Sequence, residues 1–195
     1  MIFNRKQDEE ASGQAKRWPI RRSRFIGPYE TTRDTNIMPI RIGSGYDVHA
    51  FVANRPLVLG GVTIPSERGL SGHSDADTLI HAVVDALLGA AALGDIGSYF
   101  PSSDERWKNQ PGSVFLDYIY DLLCQHQWQI GNIDATIVAE RPKLAPYIHT
   151  MRMHLAEHLH LSLEQVSVKA TTTDGLGFAG RQEGIACYAV ALIER

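Results

Sequence analysis

The chain has 195 residues, 44% of them hydrophobic and 21% charged, with a formal net charge of −3. That balance suits an ordinary folded domain, and the mild acidity speaks against general nucleic-acid binding. No apolar run approaches the roughly 20 residues that cross a bilayer. Two cysteines, Cys124 and Cys187, are too few for a disulfide scaffold and fit a reducing compartment, so a cytoplasmic protein without membrane contact is expected.

The charge is uneven. Residues 1–37 hold eight Lys/Arg and five Asp/Glu, a local +3, which leaves −6 on residues 38–195. The first stretch has no apolar periodicity and no secretory core, and its DEE run argues against a transit peptide. It reads as a disordered leader or an early start, with the domain at 38–195. Within the domain, residues 40–51 predict a strand, and 57–64 a second one containing the turn-like Gly60-Gly61. A helix follows over 74–93, capped by Ser74 or Asp75. Residues 97–112, GSYFPSSDERWKNQPG, form a long polar loop suited to a lid. A helix at 113–127, a strand at 133–139, the loop ERPKLAP and a helix at 148–158 come next. Strands at 166–172 and 184–193 close the chain. Strands alternating with helices predict an α/β fold (an α+β sandwich), a mixed sheet with helices on one face. The last strand is apolar on both sides: Ile185, Cys187, Ala189, Ala191 and Ile193 on one, Ala186, Val190 and Leu192 on the other. Its second face therefore calls for another chain.

The chemistry gathers in three places. Asp47 and His49, two apart on a strand, project to the same face as a pair of metal ligands. Ser74, Asp77, Thr78, His81 and Asp85 recur at spacings of three and four in an otherwise apolar helix, LIHAVVDALLGAAAL. Buried polar groups need partners, which makes His81 the best third ligand, with Asp77 or Asp85 orienting its other ring nitrogen. The alternative is a core histidine satisfied by its helix neighbours. Three ligands leave a fourth position open, the mark of a catalytic zinc site. His73 and Ser74 in GHSDAD stand at a helix N-terminus, where a plain Ser/Asp cap or a phosphate contact are both open readings. Gly175, Gly177 and Gly180 spell a literal G-x-G-x-x-G, but a strand follows instead of a helix, so a dinucleotide fold is rejected. Thr171–Asp174, Arg181 and Lys143 still offer groups that suit phosphate oxygens.

IRIGSGYDVHAF, GHSDADTLIHAVVDALLGAAALGDIGSYFP, AERPKLAPYI and VKATTTDGLGFAGRQEGIAC, in this order, resemble the 2-C-methyl-D-erythritol 2,4-cyclodiphosphate synthase family of the non-mevalonate isoprenoid pathway. The resemblance covers residues 40–195 and does not extend to 1–37. It implies a homotrimer with sites shared between chains, the sheets packed around a threefold axis. It also implies a lyase in which a 2-phosphate attacks the β-phosphorus of a cytidine-diphospho-methylerythritol and releases CMP. By the same resemblance Asp47, His49 and His81 hold Zn2+, with Val48 between them at the substrate. His73 and Ser74 contact substrate, with His73 and Thr172 at the transition state. Asp95, Ile96, Gly97, Phe100, Pro101, Ser102, Ser103 and Asp104 would meet the methylerythritol phosphate. Ala139, Glu140, Arg141, Pro142, Lys143, Leu144 and Ala145 would form the cytidine pocket. Thr171, Thr172, Thr173 and Asp174 would span the diphosphate, and Phe178 and Arg181 complete the site. Many members carry Glu where Asp174 stands, so a second divalent ion (Mg2+ or Mn2+) on the diphosphate would meet a shorter side chain here. Two rival readings are a zinc phosphoesterase on a related nucleotide, and a non-catalytic trimeric binder of isoprenoid diphosphates.

Overall fold

The long strand β1 (Ile40–Ala53) carries two glycines on the face that receives a helix, and the rest of the fold is arranged around that contact. A computed structural model describes residues 39–195; the leader reading for 1–37 lies outside the described residues. After β1 come a hairpin of β2 (Leu57–Leu59) and β3 (Val62–Ile64), and the edge strand β4 (Arg68–Leu70). Helix α1 (Thr78–Ala91) is followed by the single-turn α2 (Ile96–Tyr99), a 3-10 turn at Glu105–Trp107, and α3 (Gly112–Gln125). Then come β5 (Gln129–Val138), α4 (Ile148–His158), β6 (Val166–Thr171), the single-turn α5 (Gly177–Gly180) and β7 (Gly184–Glu194). The main sheet has the order β4-β1-β7-β5-β6 and is mixed: β5 and β6 run parallel, the other pairs antiparallel.

Helices α1, α3 and α4 lie on one face of this sheet, as expected, while the single-turn α5 sits on the other. Helix α1 crosses β1 and β7, α3 packs on α1, and α4 packs on β6 and α3. On β7 the residues Ile185, Cys187, Ala189, Ala191 and Ile193 are buried beneath that layer, whereas Tyr188 and Val190 on the reverse face are 54% and 46% exposed. Ile42, Tyr46 and Val48 of β1 extend the same apolar reverse face, with the Tyr46 ring 4.7 Å from that of Tyr188 and tilted 44° to it. Strand alternation accounts for both faces.

Helix α1 lies unusually close to β1. A Cβ at Gly43 would stand 2.0 Å from the Ala86 carbonyl oxygen, and one at Gly45 would stand 2.0 Å from that of Ala82. Glycine on the strand and alanine on the helix let two backbones meet where larger residues would hold them apart.

Three local expectations change. Residues 57–64 are two short strands instead of one, because Gly60 and Gly61 both take positive φ (58° and 74°) in a two-residue hairpin turn. The first helix begins at Thr78, with Asp77 as its cap, and Ser74 and Asp75 precede it in irregular chain. Asp77 is fully buried and accepts from the N–H groups of Ile80, Gly60 and Gly61 at 3.1, 2.8 and 2.7 Å, so one carboxylate both starts α1 and fastens the hairpin. Residues 97–112 are not a featureless polar loop: Phe100 packs against Phe115 and Trp107, with ring centroids 4.5 and 4.9 Å away. Strand β4 and helix α5 carry no periodicity long enough to read from sequence.

The close approach gives a paired test. Gly45→Ala is expected to cost about 3 kcal/mol or more, the upper end of overpacking penalties. Gly89→Ala, whose Cβ would meet nothing closer than 3.8 Å, is expected to be neutral or to gain up to about 1 kcal/mol from helix propensity. Urea unfolding of the two variants checks the contrast.

Candidate functional site

The contact between α1 and β1 brings His81 onto the same spot as Asp47 and His49. Asp47 Oδ2 lies 2.9 Å from His49 Nε2 and 3.0 Å from His81 Nδ1, and the two nitrogens are 3.2 Å apart. These three atoms make a nearly equilateral triangle. Tetrahedral zinc with bonds of about 2.0–2.1 Å would set its ligand atoms about 3.3 Å apart, so the triangle is one slightly contracted face of that tetrahedron. Donor type and spacing both fit a divalent ion with an open fourth position.

The second ring nitrogens complete the arrangement. His49 Nδ1 donates to the Ser71 carbonyl, which leaves its Nε2 as the ligating nitrogen. His81 Nε2 meets Ser74 Oγ at 3.1 Å, not Asp77 or Asp85 as expected. Asp77 is committed to the hairpin, and Asp85 accepts from the Ile96 N–H at 2.7 Å. Burial alone would raise the Asp47 carboxyl, but hydrogen bonds from His49 and His81 outweigh it and hold the group below the usual carboxylate range. Burial would likewise lower His49, yet its bond to Asp47 prevails and raises it above the ordinary imidazole value.

A cavity of about 240 Å³ opens over the triangle. His73, Ser74, Ile96, Phe100 and Ser102 line it, together with Trp107 and Phe115, two aromatic side chains that the sequence reading had not placed there. Phe115 follows the glycine and serine that open α3, and only the fold turns it toward His81, at 5.9 Å between ring centroids. His73 Nε2 lies 3.1 Å from the Asp104 carbonyl oxygen. The Asp104 carboxylate itself pairs with Arg106, and that of Asp95 caps α2 by accepting from the Ser98 N–H at 2.9 Å. Val48 faces the opposite side of the sheet from Asp47 and His49. Gly97, Pro101 and Ser103 lie on the segment around this cavity but not on its wall.

A second pocket, of about 640 Å³, is lined by residues 139–145 and 170–172 and shares no residue with the first. Glu140 ties its two loops together, accepting from the N–H groups of Thr173 and Gly175 at 2.9 and 3.1 Å; those bonds lower its carboxyl. Asp174 sits in the left-handed region (φ 53°) with Thr172 Oγ1 donating to its carboxylate at 3.4 Å. Phe178 lies on the apolar reverse face near Tyr46 and Tyr188, and Arg181 pairs with Glu183 at 2.8 Å, outside both pockets.

The profile of the YgbB family matches residues 40–194. A 2-C-methyl-D-erythritol 2,4-cyclodiphosphate synthase from Geobacter metallireducens is 58% identical over 156 residues, 80% of this chain and 99% of that one. The chain belongs to the YgbB family of 2-C-methyl-D-erythritol 2,4-cyclodiphosphate synthases. Solved structures of the family agree. The bifunctional IspDF of Campylobacter jejuni superposes with a TM-score of 0.78 at 42% identity, covering 81% of this chain and 43% of that one. IspF of Plasmodium falciparum, in a CDP complex, gives 0.70 at 34%, covering 80% and 96%.

His81→Ala is expected to leave the fold intact and to abolish stoichiometric zinc. Elemental analysis after dialysis checks this; full occupancy in the variant would refute the three-ligand assignment.

Proposed function

We propose that this chain is a phosphorus–oxygen lyase that converts 4-diphosphocytidyl-2-C-methyl-D-erythritol 2-phosphate to 2-C-methyl-D-erythritol 2,4-cyclodiphosphate and CMP. The observation that carries the proposal is the ligand triangle of Asp47, His49 and His81 beneath an aromatic-walled cavity, in a chain matching almost the whole length of a synthase. In the reaction an oxygen of the 2-phosphate bonds to the β-phosphorus. The bond from that phosphorus to the bridging oxygen breaks, and its electron pair leaves with CMP. No water is consumed, and little proton transfer is needed, so holding two anions in line and neutralising their repulsion are the main tasks. Zinc bound by Asp47, His49 and His81 would supply Lewis-acid charge neutralisation at a phosphoryl oxygen.

The remaining roles fall to this chain's own groups. His73 and Ser74 sit on the cavity wall within reach of a phosphate. Ile96, Phe100, Trp107 and Phe115 supply an apolar wall that keeps out the water which would divert the substrate to a linear product. The 139–145 pocket takes the cytidine, in keeping with the CDP bound to the Plasmodium relative. Thr171 to Asp174 run between pocket and diphosphate, with Thr172 at the transition state, and the Asp174 carboxylate is the position for a second divalent ion.

We further propose a homotrimer. The apolar reverse face around Tyr46, Val48, Tyr188 and Val190 needs a cover, and the two pockets of one chain have no wall in common. Packing three sheets around an axis buries that face and lets one chain's cytidine pocket complete a neighbour's metal cavity. The catalytic domain is 38–195, and two free cysteines, one of them buried, fit a cytoplasmic setting.

CMP release from the cytidine substrate, assayed with and without a chelator, tests the activity. Linear product in place of cyclic product would favour a phosphoesterase, and tight binding without CMP release would favour a binder. In light scattering, the active protein should run at three times the subunit mass; an active monomer would refute the shared site. A chain beginning at Met38 should keep its turnover, and a several-fold loss would give residues 1–37 a working role.

A further inference from the structure

Ser71 to Asp77 form an irregular segment between β4 and α1, and both metal-site histidines take their second hydrogen bond from it: His49 to the Ser71 carbonyl and His81 to Ser74 Oγ. Outside helices and strands, such a segment has carbonyl groups with no ladder to bond them. Arg55, in the turn after β1, supplies two of the missing partners. Its Nη1 donates to the Gly72 carbonyl and its Nη2 to the Ser74 carbonyl, both at 2.6 Å. The carbonyl between them, of His73, accepts from the Asn109 N–H at 2.9 Å. The segment is also pressed against the site, since a Cβ at Gly72 would stand 3.1 Å from His49 Cε1.

We infer that Arg55 is a positioning residue for the metal site: its guanidinium fork holds the 71–74 segment so that Ser71 and Ser74 fix the ring orientations of His49 and His81. It is neither a ligand of the triangle nor part of the cavity lining, and it reaches both through the backbone carbonyls of Gly72 and Ser74. A planar fork suits two carbonyls spaced two residues apart. An ammonium is a single compact donor centre and cannot span both in the same geometry. Partners that orient ligating histidines change metal affinity by about 10–100-fold when lost, and Arg55 governs two such partners at once.

The inference rests on the zinc reading of Asp47, His49 and His81, and the test keeps the two apart. Zinc affinity is measured by competition with a fluorescent chelator for the full chain, Arg55→Gln, Arg55→Lys and His81→Ala, with thermal unfolding of each zinc-free protein alongside. If the unaltered chain binds no zinc, the zinc reading itself fails. If it binds and His81→Ala does not, Arg55 is tested cleanly. The expected result is a loss of about 10–100-fold in zinc affinity for Arg55→Gln, with at most partial recovery in Arg55→Lys. Because a general loss of stability would give a weaker site too, Arg55→Ala is titrated with low-millimolar guanidinium, well below denaturing levels. Recovered zinc affinity at an unchanged zinc-free unfolding temperature supports the fork. Affinity within a factor of about two of the unaltered chain in Arg55→Gln would overturn the inference, as would a loss that guanidinium leaves untouched.

Discussion

The backbone contact between α1 and β1 is the constraint on which the structure depends. With Gly43 and Gly45 against Ala82, Ala86 and Ala90, helix and strand approach until a single added methyl would overlap a carbonyl oxygen. That distance decides the chemistry as well as the packing. His81 lies one residue before Ala82 on α1, and Asp47 lies two residues beyond Gly45 on β1, so the same closeness sets the spacing of the ligand triangle. Dense packing transmits such a constraint because the core has few voids to absorb a shift.

The polar groups around this contact are shared out with little overlap in duty. Asp77 binds the hairpin and the start of α1, Asp85 anchors α2, and Ser74 and Ser71 serve the histidines. Each is a short side chain or a carbonyl reached by backbone folding, so the array is stiff. A preorganised array of this kind suits a reaction between two phosphates, in which charge must be met by groups already in place.

The two faces of the sheet divide the labour. The helix face holds the core and the metal cavity, while the reverse face presents Tyr46, Val48, Tyr188 and Val190 to the outside. An apolar surface of that composition is costly in water, and the proposed homotrimer would cover it with a second and third copy. Stability and catalysis would then both depend on assembly.

Much of this was legible in the residues. Period-two alternation marked β1 and β5, a short run apolar on both sides marked β7, and the near-continuous apolar run marked α1. The spacing of Asp47 and His49, with one histidine breaking an apolar helix, pointed to the three ligands, because strand and helix periods fix which residues share a face. The remaining elements and partners were not legible, for a common reason. Trp107 and Phe115 join the cavity wall, Ser74 instead of Asp77 or Asp85 turns His81, and Arg55 clamps Gly72 and Ser74, all through contacts between segments far apart in sequence or in irregular chain. Periodicity carries no information about such contacts. The start of α1 shows the rule in miniature: Ser74, Asp75 and Asp77 are all acceptable caps by type, and the choice fell to Asp77 because the Gly60-Gly61 hairpin brings two N–H groups to its carboxylate. The sequence by itself determined which residues are equipped to bind a metal and which faces are apolar, since both follow from side-chain chemistry and local period. Only the tertiary structure decided which polar groups satisfy one another, because a buried hydrogen bond depends on distances that no local pattern contains.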